Sequence, residues 1–199
     1  MTTRRSELLP DVTTASSAVP HAFVTQRFSP MRFETSDCVT NDQVDALLDA
    51  ARRAPSAGNS QPWAFIVGRR GDAVHERLVQ HLAGSSSALA GEAALLMANL
   101  AQLNVEGSDL EYSEFARYDL GQAVAHLTFQ AHALGLAVHQ FRAFDRIGLS
   151  RAFNVPAHWE ITSMAAIGTP ADSAQASSGA GTTRDRRTLE QITWARAMA

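Results

Sequence analysis

Apolar runs of two different periods alternate along this chain, and that alternation most limits its fold. Trp63–Val67 (WAFIV) and Ala93–Leu100 (AALLMANL) are short, apolar and bounded by turn-forming or polar residues, as buried strands are. Residues 136–141 and 161–167 read the same way. Between these runs the apolar residues recur at helical spacing. Val44, Leu47, Leu48 and Ala51 mark a helix over residues 41–53, opened by a Thr40–Gln43 capping box and ended by Pro55. Val74, Leu78 and Leu82 share one helical face. Leu120, Val124, Leu127, Ala131 and Leu134 mark the buried face of a long helix over 119–134, with Gly135 suited to its C′ position. Asp145 opens a further helix to Phe153. Strands interleaved with helices exclude a bundle and imply an α+β or α/β fold.

Composition narrows the class. At 199 residues, with 45% hydrophobic and 19% charged residues, the chain can bury one sizeable core. Residues 1–24 are rich in Ser, Thr, Ala and Pro without periodicity, so a flexible arm is expected there and a single domain over 25–199. A net charge of −3 argues against nucleic-acid binding. The single cysteine, Cys38, excludes an internal disulfide and fits a reducing compartment. No apolar run has the length of a membrane span, and the N-terminal residues lack the apolar core of a secretion signal. These features predict a cytoplasmic protein that does not enter a membrane.

The connection between the first long helix and the first strand carries more chemistry than a connection needs. Ser56-Ala57-Gly58-Asn59-Ser60-Gln61 lies between Pro55 and Pro62. It offers hydroxyl, amide and backbone N–H donors that can bind an anion or the edge of a heterocycle. The same residues can also serve only their own turn, with Ser56 and Asn59 bonding nearby backbone. Seven histidines invite a metal reading, but His126, His132 and His139 lie six and seven apart, without the i, i+3 or i, i+4 pairing that helical ligands use. No glycine-rich phosphate loop is present in the sequence.

Pro55-Ser56-Ala57-Gly58-Asn59-Ser60-Gln61-Pro62-Trp63 resembles a segment of the flavin-dependent nitroreductase family, Pro-Ser-x-x-Asn-x-Gln-Pro-Trp. Arg27-Phe28-Ser29-Pro30-Met31-Arg32-Phe33 is similar to that family's basic entry segment; Met31 stands where a second basic residue is usual. Arg184-Asp185-Arg186 resembles its C-terminal basic pair. Tyr118–Ala123, Gln130–Leu136 and Ala166–Pro170 resemble its central helix and closing strand.

The resemblance implies a nitroreductase-like α+β fold. A central mixed or antiparallel sheet would be flanked by helices, in an intertwined homodimer. It implies bound FMN, with contacts from Arg27, Phe28, Ser29 and Met31, from Pro55, Ser56, Ala57, Asn59 and Gln61, and from Arg184 and Arg186. A backbone N–H near the flavin N5 would come from Arg142 or Ala143. Hydride would pass from NAD(P)H to a nitroaromatic, quinone or related small-molecule acceptor, with no essential side-chain acid or base. A biosynthetic flavin dehydrogenase or oxidase, and an FMN-binding protein without turnover, remain alternatives. The acidic-aromatic segment 101–118 is either a small lid or a surface loop. Residues 171–183 read as a mobile tether, and 184–198 as a docking segment carrying Leu189, Ile192 and Trp194.

Overall fold

The computed structural model describes residues 19–171 and 184–197. The tether expected at 171–183 therefore lies outside the described residues except for Ala171, as does most of the expected arm. The arm's last residues are helical: α1 spans Ala22–Gln26. Its Phe23 meets the His132 ring edge-on at 5.6 Å.

Among the described residues four strands form one antiparallel sheet. They are β1 (Trp63–Arg69), β2 (Leu95–Gln102), β3 (Ala137–Phe141) and β4 (Trp159–Gly168). The order is β1-β2-β4-β3, so β1 and β3 are the two edges. Three strand spacings separate those edges, about 14 Å. Of the two sheet types expected, the antiparallel one is present.

Alternation along β2 builds both halves of the core. Leu95 and Met97 point to one face, where Leu47 and Ala51 of α2 (Asn41–Arg52) and Ala123, Leu127 and Ala131 of α5 (Ala116–Ala133) cover them. Leu96, Ala98 and Leu100 point to the other, under Leu78 of α3 (Ala73–Val79), Leu89 of α4 (Gly84–Ala90) and Leu149 of α6 (Arg146–Ala152). A strand buried on both faces is apolar at nearly every position, which is why this run shows no period of two; its buried Asn99 is the exception, its amide donating to the Ser163 hydroxyl at 3.0 Å. Each fully buried leucine contributes about 1.5–3 kcal/mol relative to exposure.

Boundaries move where tertiary contacts outweigh local pattern. The sequence run begins at Ala93, but β2 begins at Leu95. Ala93 and Ala94 turn into it, and the Ala94 carbonyl accepts from the Arg70 N–H. Helix α5 starts at Ala116, three residues ahead of expectation. Leu82 lies past the end of α3 and pairs instead with Phe144. Helix α4 was not legible, because Gly84-Ser-Ser-Ser reads as loop. It forms because the buried Ser86 hydroxyl donates to the Ala83 carbonyl and also approaches that of Ala143, while Leu89 and Ala90 join the core. No helix among the described residues is long and apolar enough to cross a membrane.

Candidate functional site

Loop 55–62 is held in shape by hydrogen bonds within the chain. Ser56 is extended, Ala57–Asn59 forms a 3₁₀ turn, and Gly58, Asn59 and Gln61 have φ of 59°, 56° and 48°. Three left-handed residues within four positions explain why glycine and asparagine stand there. The Ser56 hydroxyl accepts from the Gln61 N–H at 3.0 Å. The Ala57 N–H donates to a carboxylate oxygen of Asp119 at 3.0 Å. The Tyr112 hydroxyl donates to the Ser60 carbonyl at 2.9 Å. Pro55, Ala57, Gly58, Asn59 and Gln61 remain exposed, so the loop is fixed from behind and open in front.

Two residues holding this loop escaped the sequence reading. Asp119, 2% exposed in the first turn of α5, was grouped with packing residues. An acid on the buried side of a helix was the available signal. Tyr112 had been noted only as part of an aromatic segment. That segment folds back through an Asn104–Glu111 bridge, and its Glu106, Asp109, Glu111 and Glu114 are exposed.

The second cluster lies beyond the other end of α5. Arg27 donates to the Ser29 hydroxyl at 3.4 Å. Arg184 donates to the Gln26 carbonyl at 3.3 Å, and its guanidinium sits over the Phe28 ring, 5.5 Å from the centroid. Arg186 donates to the Arg184 and Asp185 carbonyls at 2.9 Å. Burial, followed by the positive charges of Arg186 and Arg184, holds the Arg27 guanidinium below its ordinary pKa. Three guanidinium groups brought together in this way favour an anion. Arg27 and Phe28 also border a cleft of about 160 Å³ with Thr128, His132, Leu136 and Pro170.

Met31 is exposed, and so is the Arg32 that follows it. Arg32 turns to Glu92, 3.8 Å away. The ring nitrogen Nδ1 of His139 lies 2.9 Å from the Pro30 carbonyl, tying the entry segment to β3. Burial pushes His139 below its ordinary pKa, opposed by that carbonyl. This tie was not foreseen.

The segment after β3 is pinned from one side. The Ala143 carbonyl accepts from the Ala83 N–H at 3.1 Å, and the Asp145 N–H donates to the His81 carbonyl at 2.8 Å. Neither the Arg142 nor the Ala143 N–H is used by a backbone carbonyl in a turn or loop contact of the described residues.

Loop 55–62 and the arginine cluster do not meet within this chain. Asp119 fixes the loop at the first turn of α5, whereas Arg27 and Phe28 adjoin His132 and Leu136 at its far end. An 18-residue helix is about 27 Å long. The C-terminal segment is anchored at Arg184, but Leu189, Ile192 and Trp194 stand in solvent, at 73%, 63% and 103% exposure.

A sequence profile of the Nitroreductase family matches residues 24–169. A protein of Methanothermobacter thermautotrophicus, provisionally named an NADH dehydrogenase/NAD(P)H nitroreductase, is 28% identical over 138 residues, 67% of this chain and 69% of its own. The 5,6-dimethylbenzimidazole synthase of Rhodospirillum rubrum is 26% identical over 162 residues, covering 70% and 77%. A crystal structure of an oxidoreductase containing FMN superimposes with a TM-score of 0.73 at 26% identity, covering 79% of this chain and 80% of that one.

Proposed function

We propose, from the premise that the chain belongs to the nitroreductase family, that it is a cytoplasmic FMN-dependent NAD(P)H oxidoreductase. When bound, FMN supplies the hydride chemistry, in ping-pong order from NAD(P)H to a nitroaromatic, quinone or related acceptor. The observation that carries this reading is the docking of Arg184, with Arg186 two residues on, against Gln26 and Phe28 beside Arg27, which joins the two ends of the described chain.

The residues present fit the group. Arg27, Arg184 and Arg186, with the Ser29 hydroxyl, suit a phosphate dianion, since charge-assisted contacts to guanidinium are strong and directional. Phe28 and Met31 supply apolar contact beside them. Pro55, Ser56, Ala57, Asn59 and Gln61 present a rigid polar edge suited to a heterocycle. The amides of Arg142 and Ala143 are the donors for the ring nitrogen that exchanges hydride. No side-chain acid or base is required.

The separation of the two half-sites supports a homodimer, with Arg27 and Ser29 from one copy and Ser56 and Asn59 from the other. Antiparallel pairing of two α5 helices would bring the start of one to the end of its mate. Gly121, Ala125, Phe129 and Ala133 lie on the less buried sides of α5, so this helix has apolar or small residues on more than its core face, as a helix covered on both sides does.

A second reading, a flavin enzyme of a biosynthetic pathway, is favoured by the likeness to the Rhodospirillum synthase. The test is direct. Purified protein should be yellow, release FMN on denaturation, and consume NAD(P)H when a quinone or nitroaromatic is added. Flavin reduction by a substrate without NAD(P)H would select the second reading. A colourless preparation that takes up no added FMN would remove both.

A further inference from the structure

We infer that Arg142 selects ligands carrying a carboxylate or similar anionic group at the acceptor position. This inference rests on the reading of the site as an FMN centre, with the Arg142 and Ala143 amides at the flavin. Arg142 is exposed, and its guanidinium is held over the Phe144 ring, 4.8 Å from the centroid. Phe144 is itself 7% exposed and fixed in the core. Stacking on a fixed ring favours this placement of the cation over others. The backbone beneath it is pinned through Ala143 and Asp145 to residues 81–83.

The nearest charged groups on the same stretch are engaged elsewhere. Arg146 pairs with Glu160 at 3.0 Å, and Asp145 accepts from the Gly148 N–H at 2.9 Å while facing His81. No salt bridge joins Arg142 to a carboxylate among the described residues. A planar guanidinium with free donors matches a carboxylate two bonds at a time. An acceptor ring at the flavin would bring an acidic substituent within reach of it, whereas a neutral substituent would gain nothing.

The probes are benzoate and benzamide, of similar shape but one anionic and one neutral, titrated against the FMN-loaded protein by perturbation of the flavin absorbance. In the parent, benzoate should bind more tightly than benzamide by about ten- to a hundredfold, the range of a hydrogen-bonded charge contact. Arg142→Gln should abolish that preference, and Arg142→Glu should reverse it; the flavin spectrum of each variant reports that FMN is still held. A parent indifferent to the charge overturns the inference, as when a carboxylate of a second copy neutralises Arg142. So does a benzoate preference that survives in Arg142→Gln. If Arg142→Gln slows flavin reduction by NADPH and leaves the benzoate preference intact, the cation serves the phosphates of the reductant and the inference falls. Absence of FMN from the protein overturns this inference together with the proposed function.

Discussion

Loop 55–62 and segment 184–197 both lie outside the core, yet they are held very differently. The loop has a carboxylate, a tyrosine hydroxyl and its own serine behind it, so its exposed face is preformed. The C-terminal segment is fixed at Arg184, and its apolar residues then run into solvent, ending in the fully exposed Trp194. Burying one such side chain is worth about 1.5–3 kcal/mol, and here that is unrealised. Under the proposed reading the first region is a finished half of a site, and the second awaits the surface of a partner copy.

Removing residues 172–199 tests that contrast most severely. Four arginines, Arg184 and Arg186 among them, leave together with the exposed Leu189, Ile192 and Trp194. Flavin affinity and dimer stability should fall in parallel, measured by fluorescence titration and sedimentation. Unchanged values for both would show that the segment serves neither. Arg27→Ala should weaken FMN binding by about 2–4 kcal/mol, because a charge-assisted contact is lost where water is partly excluded. Equal affinity in titration would move the phosphate elsewhere. Asp119→Ala attacks the finished half. It should cost about 1–3 kcal/mol of stability, read from denaturant unfolding, since the Ala57 N–H loses its partner. An unaltered unfolding midpoint would mean that the loop holds itself. Ser56→Ala should cost least, about 0.5–1.5 kcal/mol of flavin affinity, as one neutral hydrogen bond. A loss as large as that of Arg27→Ala would erase the distinction between a charged grip and a polar edge.

The two regions also differ in how far the sequence disclosed them. Helix α2 was legible because its signals are local: Thr40 and Gln43 form the capping box, and Pro55 follows its end. The alternation of helix and strand carried the α+β class for the same reason. Helix α4 was not legible, since three serines in a row favour loop until Ser86 and Leu89 find partners far away in sequence. Asp119 was read only with the packing residues of the central helix; its bond to Ala57 spans 62 positions. The meeting of Arg184 with residues 26–28 spans more than that, and spacing alone cannot announce it. It was anticipated only through resemblance to a known family. Helix ends and strand ends moved by one to three residues, as at Ala93 and Ala94, where a turn has its own hydrogen bonds to complete.

The length of α5 has a genetic corollary. With the loop at its first turn and the arginines beyond its last, each site of the proposed homodimer would take one end from each copy. A chain crippled at Arg27 and a chain crippled at Ser56 and Asn59 are then complementary alleles. Their mixed dimer concentrates both lesions in one site and leaves the other wholly intact. Two chains damaged at the same end cannot rescue one another in this way. A cell carrying the first pair would regain activity that neither allele supplies alone, and the pattern of rescue would map which residues share a site.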